Sequence, residues 1–353
     1  MKPEFKINNF DLIRIFAASQ VMVQHSCLHL EVPIPFWLSV IENFQGVPMF
    51  FVISGFLISS SYERNNNFKN YFTNRVLRIY PGLWACILLT IITAAVFGGI
   101  NFFNMHTPVW LVSQMTGVIY TPQFLSGYGF GSYNGSLWTI PIELQFYIVL
   151  PVIYLLVSKF IKKNAAIFIL LLLFILIAYG LNILYPGMGG INETKEAKLF
   201  RYSFVPQFYM FLTGVALQKF KAYQSRFLYG KGLYWLSAYL LFVYFVPGFS
   251  IKFLVTSFFL SITTISLAYT SPAIAHKLFK GNDISYGVYI YHGVFLNILV
   301  EYKLFNNLYY LFALFFITYF IAFLSWRFIE KPMLKRKKNT INTINLEIVP
   351  AKI

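Results

Sequence analysis

The chain of 353 residues has little charge and almost no cysteine. Only 11% of its residues are charged and 58% are hydrophobic, against roughly 25% and 45–50% in soluble domains. This composition excludes a water-soluble globule and a disordered chain. The two cysteines, Cys27 and Cys86, lie inside apolar runs, which excludes a fold held by disulfides. The sequence also has no CxxC pair, glycine-rich phosphate loop or metal-ligand spacing, so we expect no metal site.

Long apolar stretches dominate what is present. Ten of them come near the ~20 residues that a helix needs to cross a bilayer. They lie at about 8–30, 43–61, 79–100, 137–157, 165–184, 204–218, 232–249, 253–271, 284–302 and 307–326. The sequence therefore predicts an all-α polytopic membrane protein with about ten transmembrane helices and both termini on one side.

The basic residues are distributed unevenly between the two sides. Of 28 Lys and Arg, 22 fall on the side of the termini, five on the other side, and Arg14 lies within the first span. Positive residues concentrate on the cytoplasmic side of membrane proteins, so we expect both termini in the cytoplasm. We interpret residues 1–330 as a membrane domain and 331–353 as a basic cytoplasmic tail. The tail directly follows a membrane helix, which favours a topology anchor at the lipid surface over a nucleic-acid site.

Ionisable residues inside the first span carry functional information, because each costs ~2.5–3.5 kcal/mol at the bilayer centre. Arg14 and His25 are eleven positions apart, which places them on one helix face about 16 Å apart. In the fourth span, Glu143 lies at a depth similar to that of His25. A carboxylate beside an imidazole orients it and stabilises its protonated form, so we predict a catalytic pair. Alternatively, Asp11 and Arg14 only neutralise each other and Glu143 bonds a neighbouring helix.

Two further constellations lie in other spans. Arg75 and Arg78 are three positions apart on one face at the start of the third span, an arrangement that suits a phosphorylated cytoplasmic ligand. Alternatively, both arginines only extend their charged ends to the membrane surface and bind no ligand. His292 lies near the middle of the ninth span, with Tyr286 and Tyr289 on the preceding turns. A buried imidazole at this position either takes part in the reaction or links two packed helices.

The external segment 101–136 contains no charged residue. We expect it to fold back onto the membrane face. Tyr128, Phe130 and Tyr133 lie in its glycine-rich part, FLSGYGFGSYNGS, and their rings suit contact with a sugar acceptor. A re-entrant plug without a ligand is the alternative.

These motifs together resemble the integral-membrane acyltransferase family 3, which includes bacterial O-antigen and exopolysaccharide O-acetyltransferases. The likeness covers nearly the whole chain, through FDLIRIFAASQVMVQHS, GVPMFFVISGFLIS, RVLRIYP, SLWTIPIELQFY, SYGVYIYH and WRFIEKP. The resemblance implies that Arg14 and His25 match the family's paired basic residue and catalytic histidine. Arg75 and Arg78 match its cytoplasmic arginine pair, and Glu143 lies in its fourth-helix motif.

The resemblance also implies an activity. Family members take an acyl group from a cytoplasmic donor, usually acetyl-CoA, to a hydroxyl of an extracytoplasmic surface polysaccharide or lipid-linked glycan. We expect a stand-alone transferase in the bacterial inner membrane, without a permanently bound cofactor. Arg14, Arg75 and Arg78 would hold the anionic end of CoA, and His25 would act as general base with Glu143. Direct transfer and a covalent acyl-imidazole both stay open.

Two expectations remain, one about the residues that bind the acceptor and one about the class of protein that competes with an acyltransferase. We assign Tyr128, Tyr133 and His292 to the acceptor. The competing class is a lipid-linked glycan flippase or transporter, which would also need about ten spans and buried charge. The sequence shows no inverted repeat of the kind that transporters often have, and consumption of acetyl-CoA by the purified protein would separate the two classes.

Overall fold

The computed structural model describes residues 7–33, 35–64, 67–160, 163–186, 188–190 and 193–336. Within these ranges the chain forms helices and turns and contains no strand. The α-helices, numbered α1 to α15 in chain order, are Phe10–His29, Phe36–Glu42, Gly46–Arg64, Phe68–Gly98, Thr107–Thr116, Thr139–Phe160, Lys163–Leu184, Lys195–Arg201, Phe208–Lys219, Gly232–Phe245, Lys252–Ala268, Ile274–Phe279, Ser285–Glu301, Leu308–Ser325 and Lys331–Leu334. Four 3₁₀ turns and one π-helical turn join them, at Gln123–Leu125, Gly135–Trp138, Val205–Gln207, Ala222–Gln224 and Trp326–Glu330.

The all-helical prediction is confirmed. Each of the ten apolar stretches contains a helix, and among the described residues four helical segments are long and apolar enough to cross a membrane. These four are Phe68–Gly98, Gly135–Leu156, Asn164–Leu184 and Leu308–Leu334. The number of crossings and the side on which the termini lie stay predictions. Most of the predicted tail, from residue 337 onward, lies outside the described residues.

Helix α4 is the longest and carries the paired arginines. It has 31 residues, and its ends have ordinary caps. The Asn67 side chain accepts a hydrogen bond from the backbone N–H of Asn70 at 3.0 Å. At the other end Gly99 has φ of 62°, a left-handed conformation that glycine adopts without strain. Arg75 and Arg78 therefore lie within the first three turns of a well-defined helix.

Helix α3 is held against α9 by two glycines. A Cβ at Gly55 would lie 2.0 Å from the carbonyl oxygen of Phe211, and one at Gly214 would lie 2.1 Å from that of Val52. Only hydrogen fits at these positions, so the two backbones pack directly against each other. The close contact fixes α3, whose other faces line the cavities described below.

Helix α1 lies in the centre of the bundle, between α3 and α13. The Gln20 side chain accepts a hydrogen bond from the backbone N–H of Gly46, the first residue of α3, at 2.7 Å. A Cβ at Gly46 would lie 2.3 Å from the carbonyl oxygen of Ala17, so α3 begins in direct contact with the middle of α1. The half of α1 that carries His25 therefore extends past the start of α3.

The uncharged segment between α4 and α6 folds back over one end of α13. The backbone N–H of Gly129 donates to Glu301 at 2.8 Å, and that of Phe130 donates to Asn297 at 3.1 Å. The Asn297 amide in turn donates to the carbonyl oxygens of Ser132 and Tyr133, both at 2.9 Å. This end of α13 is thereby tied to the segment on which the three predicted acceptor aromatics lie.

Candidate functional site

A cavity of about 360 Å³ lies between α1, α3, α4, α6 and the start of α13. Its charged lining consists of Asp11, Arg14, Arg75, Arg78, Glu143 and Asp283. Four residues that were predicted from separate spans therefore meet here: the three arginines of the predicted donor site and the carboxylate of the predicted catalytic pair. The three arginines face three carboxylates, so the charges of the cavity formally balance.

Asp283, in the turn before α13, connects two of the arginines. Its carboxylate lies 2.8 Å from Arg14 and 2.5 Å from Arg78, and Ser285 donates a hydrogen bond to it at 2.5 Å. Burial raises the pKa of Asp283, but the charges of Arg78 and Arg14 outweigh burial and hold this pKa below its ordinary value. Arg14 also pairs with Asp11 at 3.0 Å, the neutralising contact that the sequence allowed as an alternative.

Arg75 is used differently from Arg78. Its guanidinium lies over the rings of Tyr71 and Tyr147, with 5.2 and 5.5 Å between the guanidinium carbon and the ring centroids. Among the described residues no carboxylate forms an ion pair with it, and its buried Nε has no hydrogen-bond partner. Arg75 is therefore the arginine of this cavity that no described carboxylate neutralises, and its Nε is available to an anionic ligand.

Glu143 lies in the same cavity and not beside His25. Its carboxylate accepts a hydrogen bond from the hydroxyl of Tyr147, one turn further along α6. Within the described part of the chain, no hydrogen bond joins Glu143 to His25. Both sequence alternatives for Glu143 expected a partner on another helix, whereas the partner that the structure gives it lies on its own helix.

The partner of His25 is His292. Nδ1 of His25 lies 3.1 Å from Nε2 of His292, whose ring is fully buried. Nδ1 of His292 lies 3.3 Å from the carbonyl oxygen of Val288. A carbonyl oxygen only accepts, so in the neutral ring Nδ1 of His292 carries the proton and Nε2 is an acceptor. His25 then donates through Nδ1, which leaves its own Nε2 unprotonated and unengaged by this pair. His292 is thus a bridge from α13 to α1.

The histidine pair lies beyond one end of the cavity, and neither histidine is among its lining residues. Asp283, Ser285, Tyr286 and Tyr289 line the cavity in order along α13, and His292 follows one turn after Tyr289. The rings of Tyr289 and His292 are 6.2 Å apart. On α1 the order is the same, because Asp11 and Arg14 line the cavity and His25 follows three turns later. The arginines and the histidines therefore occupy opposite ends of one pathway.

The three predicted acceptor aromatics differ in exposure. Tyr128 and Tyr133 are each 1% exposed, and the hydroxyl of Tyr133 donates to Gln114 within the same segment. Phe130 stacks on His29, with 4.1 Å between ring centroids. The structure thus brings Phe130 beside the histidine-bearing end of α1 and packs the two tyrosines inside the protein. Contact of Tyr128 and Tyr133 with an acceptor stays a prediction.

Sequence reasoning missed Asp283 and the pairing of the two histidines. Asp283 belongs to a set of only 12 acidic residues and directly precedes an apolar span, which is a usable signal for a partner of buried arginine. The histidine pairing has no comparable signal, since similar depth in the membrane fits several helix neighbours equally well.

The described residues form a bundle with four membrane-length apolar helices, a charged cavity and a histidine pair beyond its end, which is typical of a membrane-embedded enzyme. A family model described as an acyltransferase domain matches residues 7–327. The chain therefore belongs to acyltransferase family 3, as its motifs indicated, and it is an acyltransferase. The enzyme interpretation is confirmed over the transporter alternative.

Individual relatives agree with this assignment. The chain is 29% identical to nodulation protein 10 of Rhizobium leguminosarum bv. viciae in an alignment of 357 positions that covers 95% of each chain. It is 29% identical to an O-acetyl transferase of Shigella phage Sf6 over 94% of this chain and 97% of the relative. The peptidoglycan O-acetyltransferase OatA of Listeria monocytogenes is 26% identical over 85% of this chain and 52% of its own length. No solved structure matches the chain.

Proposed function

We propose that the protein is a membrane O-acetyltransferase that moves an acetyl group from cytoplasmic acetyl-CoA to a hydroxyl of an extracytoplasmic glycan, with His25 as general base. The observation that carries the proposal is the histidine pair, which lies one turn beyond the last α13 residue that lines the arginine-lined cavity. The hydrogen bonds of that pair leave Nε2 of His25 as a free base. The O-acetyltransferase relatives support the acetyl group and a hydroxyl acceptor.

The arginine end of the cavity suits the donor. The nucleotide end of CoA carries phosphates, and guanidinium groups bind phosphate through paired hydrogen bonds. Arg75 offers an unpartnered Nε and a charge that no described carboxylate neutralises, while Arg14 and Arg78 are fixed by Asp283 and contribute positive charge near it. The long pantetheine arm would then extend through the cavity toward the histidines and bring the thioester to His25.

The reaction at the other end follows from the tautomer of His25. Nε2 of His25 takes the proton of the acceptor hydroxyl as the oxygen attacks the carbonyl carbon of the thioester. The new carbon–oxygen bond forms, the carbon–sulfur bond breaks, and the departing CoA sulfur takes the proton back from His25. His292 accepts from Nδ1 of His25 throughout, so it orients the ring and stabilises the imidazolium that forms between the two steps. An acetyl group carried on Nε2 itself is the two-step alternative.

The test is acetyl transfer by the purified protein in lipid nanodiscs, with labelled acetyl-CoA and surface glycan extracted from the cells that encode the chain. We expect label in the glycan with the wild type, and less than a few per cent of it with His25→Ala. CoA binding, measured by calorimetry, should survive in His25→Ala because the arginine end is unchanged. Transfer by His25→Ala near the wild-type rate would overturn the general-base assignment, and a wild type that does not bind CoA would overturn the donor.

Sidedness needs a separate experiment. We propose that the termini and the arginine end face the cytoplasm, and that the segment 101–136 faces outward. With Cys27 and Cys86 replaced by Ala, Ser126→Cys should react with an impermeant maleimide in intact spheroplasts, and Lys69→Cys should react only after lysis. Both positions are exposed, so accessibility alone does not separate them. Labelling of Lys69→Cys from outside would invert the topology and exchange the donor and acceptor faces.

A further inference from the structure

A second cavity of about 590 Å³ begins where the first one ends. Val47 of α3 lines both cavities. Gln45, before the helix, and Pro48, in its first turn, line only the second cavity, and beyond Pro48 the helix lines only the first. The same order holds at the start of α6, where Trp138 lines the second cavity and Thr139 lines the first. Two separate segments thus place the second cavity beyond the first.

The position of the histidine pair along α1 and α13 can be compared with the junction of the two cavities. The backbone of Gly46 contacts Ala17 of α1, so the start of α3 marks a level on α1, and His25 lies two turns beyond it. Thr139, at the junction on α6, bonds the hydroxyl of Tyr289 at 2.8 Å, and Tyr289 is one turn before His292. The histidine pair therefore lies at the level where the first cavity ends and the second begins, although neither histidine is among the lining residues of either cavity.

The lining of the second cavity is neutral and has unused hydrogen-bonding groups. In the described part of the chain, no hydrogen bond engages the side-chain amides of Gln45, Asn182 and Gln207 or the indole N–H of Trp138. Among the described residues no carboxylate lines the cavity. The one cation among them, Lys252, donates to the carbonyl oxygen of Val246, directly after α10, at 2.5 Å. The cavity thus offers amide donors and acceptors beside aromatic rings, without free charge.

This chemistry matches a sugar. A pyranose ring presents hydroxyl groups that both donate and accept, as an amide does, and its C–H face packs on aromatic rings. A lipid tail would instead match a lining without polar groups. Such a lining exists elsewhere in the molecule, in a cavity of about 250 Å³ between α1, α2 and α14 that is lined mainly by residues such as Phe16, Val23 and Leu311.

We propose that the second cavity binds the sugar of the acceptor and presents its hydroxyl to His25 at the junction of the two cavities. The inference rests on the proposed transfer reaction and adds to it the place and the chemical class of the acceptor. Trp138 and the amides of Gln45, Asn182 and Gln207 would bind an uncharged sugar unit, whatever the rest of the glycan carries.

The test compares kinetic constants for the two substrates in nanodiscs, with extracted surface glycan as the acceptor probe. In Asn182→Ala/Gln207→Ala we expect KM for the glycan to rise about tenfold, since two neutral hydrogen bonds are lost. The dissociation constant for CoA should not change. Gln123→Ala is the matched control, because Gln123 is an exposed amide outside both cavities, and its KM for the glycan should equal that of the wild type.

A second variant, Ala178→Leu, fills the cavity without removing a polar group and should also raise KM for the glycan. If Ala178→Leu blocks transfer while the double amide variant keeps the wild-type KM, the occupant is apolar and the sugar assignment is wrong. If neither variant changes KM while the wild type transfers acetyl, the acceptor binds elsewhere and the proposed reaction still stands. Failure of the wild type to bind CoA or to transfer acetyl would instead contradict the proposed transfer reaction itself.

Discussion

The two cavities on either side of the histidine pair use their polar groups in opposite ways. In the first, Asp283 bonds both Arg14 and Arg78, and Glu143 accepts from Tyr147, so most charged groups are already engaged. In the second, three amides and an indole N–H are unengaged among the described residues. The polar groups of the first cavity bond each other, whereas the amides and the indole N–H of the second are available to a ligand.

The physical reason is the difference in desolvation cost between charges and amides. An ionised group taken out of water must be paired, whereas an unpaired neutral amide costs about 1–3 kcal/mol and less when it is partly exposed. An anion in the first cavity would therefore meet Arg75, the one arginine there that no described carboxylate neutralises. A ligand in the second would meet the unengaged amides and indole N–H. Changes in the first should affect stability and donor binding, and changes in the second should affect acceptor binding alone.

The largest effect should come from Asp283→Ala, which tests whether internal pairing holds the first cavity together. Arg14 and Arg78 would face each other without their shared carboxylate, and loss of one partner from a buried ion pair costs roughly 3–5 kcal/mol. We expect a clear fall in Tm of the purified protein, measured by thermal unfolding in detergent. Because the pKa of Asp283 lies below its ordinary value, the contribution is present at neutral pH and is lost only at strongly acidic pH.

Asp11→Ala is the control for this prediction. The Asp11 side chain is 36% exposed and bonds only Arg14, whereas that of Asp283 is 8% exposed and bonds two arginines. Exposed ion pairs contribute about 0–1 kcal/mol, so Tm should change little. Equal effects of the two substitutions would mean that Asp283 has no special role in the cavity.

The junction between the cavities can be tested through His292. In His292→Ala the Nδ1 proton of His25 loses its acceptor and the ring is no longer oriented, so kcat should fall by about 10²-fold or more. KM for the glycan and the affinity for CoA should stay near the wild-type values. His292→Gln supplies a carbonyl oxygen as acceptor and should recover part of kcat.

The sequence assigned His292 to acceptor binding, and the same experiment decides between that role and positioning of His25. A residue that binds the acceptor raises KM for the glycan when it is removed, whereas a positioning residue lowers kcat. A rise in KM with unchanged kcat would support the assignment made from sequence.

Much of the first cavity could be predicted from the sequence, and little of the second. Arg14, Arg75, Arg78 and Glu143 were identifiable because ionisable residues are costly inside apolar spans and therefore conspicuous there. The second cavity is lined by ordinary residues such as Gln45 and Asn182, which attract no attention in a sequence. Only the three-dimensional arrangement shows that their side chains converge.

The sequence also did not allow us to predict which side chains on different helices form pairs. Depth along a span follows from counting residues, but equal depth does not say which side chains meet. Which helices are neighbours, and how each is rotated, depends on close contacts such as those of Gly46, Gly55 and Gly214. This is why His25 could be given Glu143 as a partner from depth alone, whereas in the structure its partner is on α13.

A smaller effect separates the two arginines of the cytoplasmic pair. Arg75→Ala should weaken CoA binding by about 10–100-fold without a change in Tm, because its hydrogen bonds to a charged ligand are lost and it has no internal ion pair. Arg78→Ala should lower Tm as well, because Asp283 loses a partner. Arg75→Lys should recover only part of the affinity, since lysine lacks the planar fork. Calorimetry with CoA and thermal unfolding measure both effects, and equal Tm values for the two alanine variants would contradict the distinction.

The smallest effect concerns whether the acceptor extends beyond the second cavity to the external segment. The ring of Phe130 stacks on His29 near the histidine end of the pathway and is only partly buried. If an acceptor sugar packs on this ring, Phe130→Leu should raise KM for the glycan by about two- to tenfold, the range expected for one aromatic contact. Tyr133→Phe is the comparison, because it removes a buried hydroxyl that bonds Gln114 and leaves the ring in place, and an unchanged KM would count against the predicted contact of this hydroxyl with the acceptor. An unchanged KM in Phe130→Leu would confine the acceptor to the second cavity, and a raised KM in Tyr133→Phe would mean that the hydroxyl itself contacts the glycan.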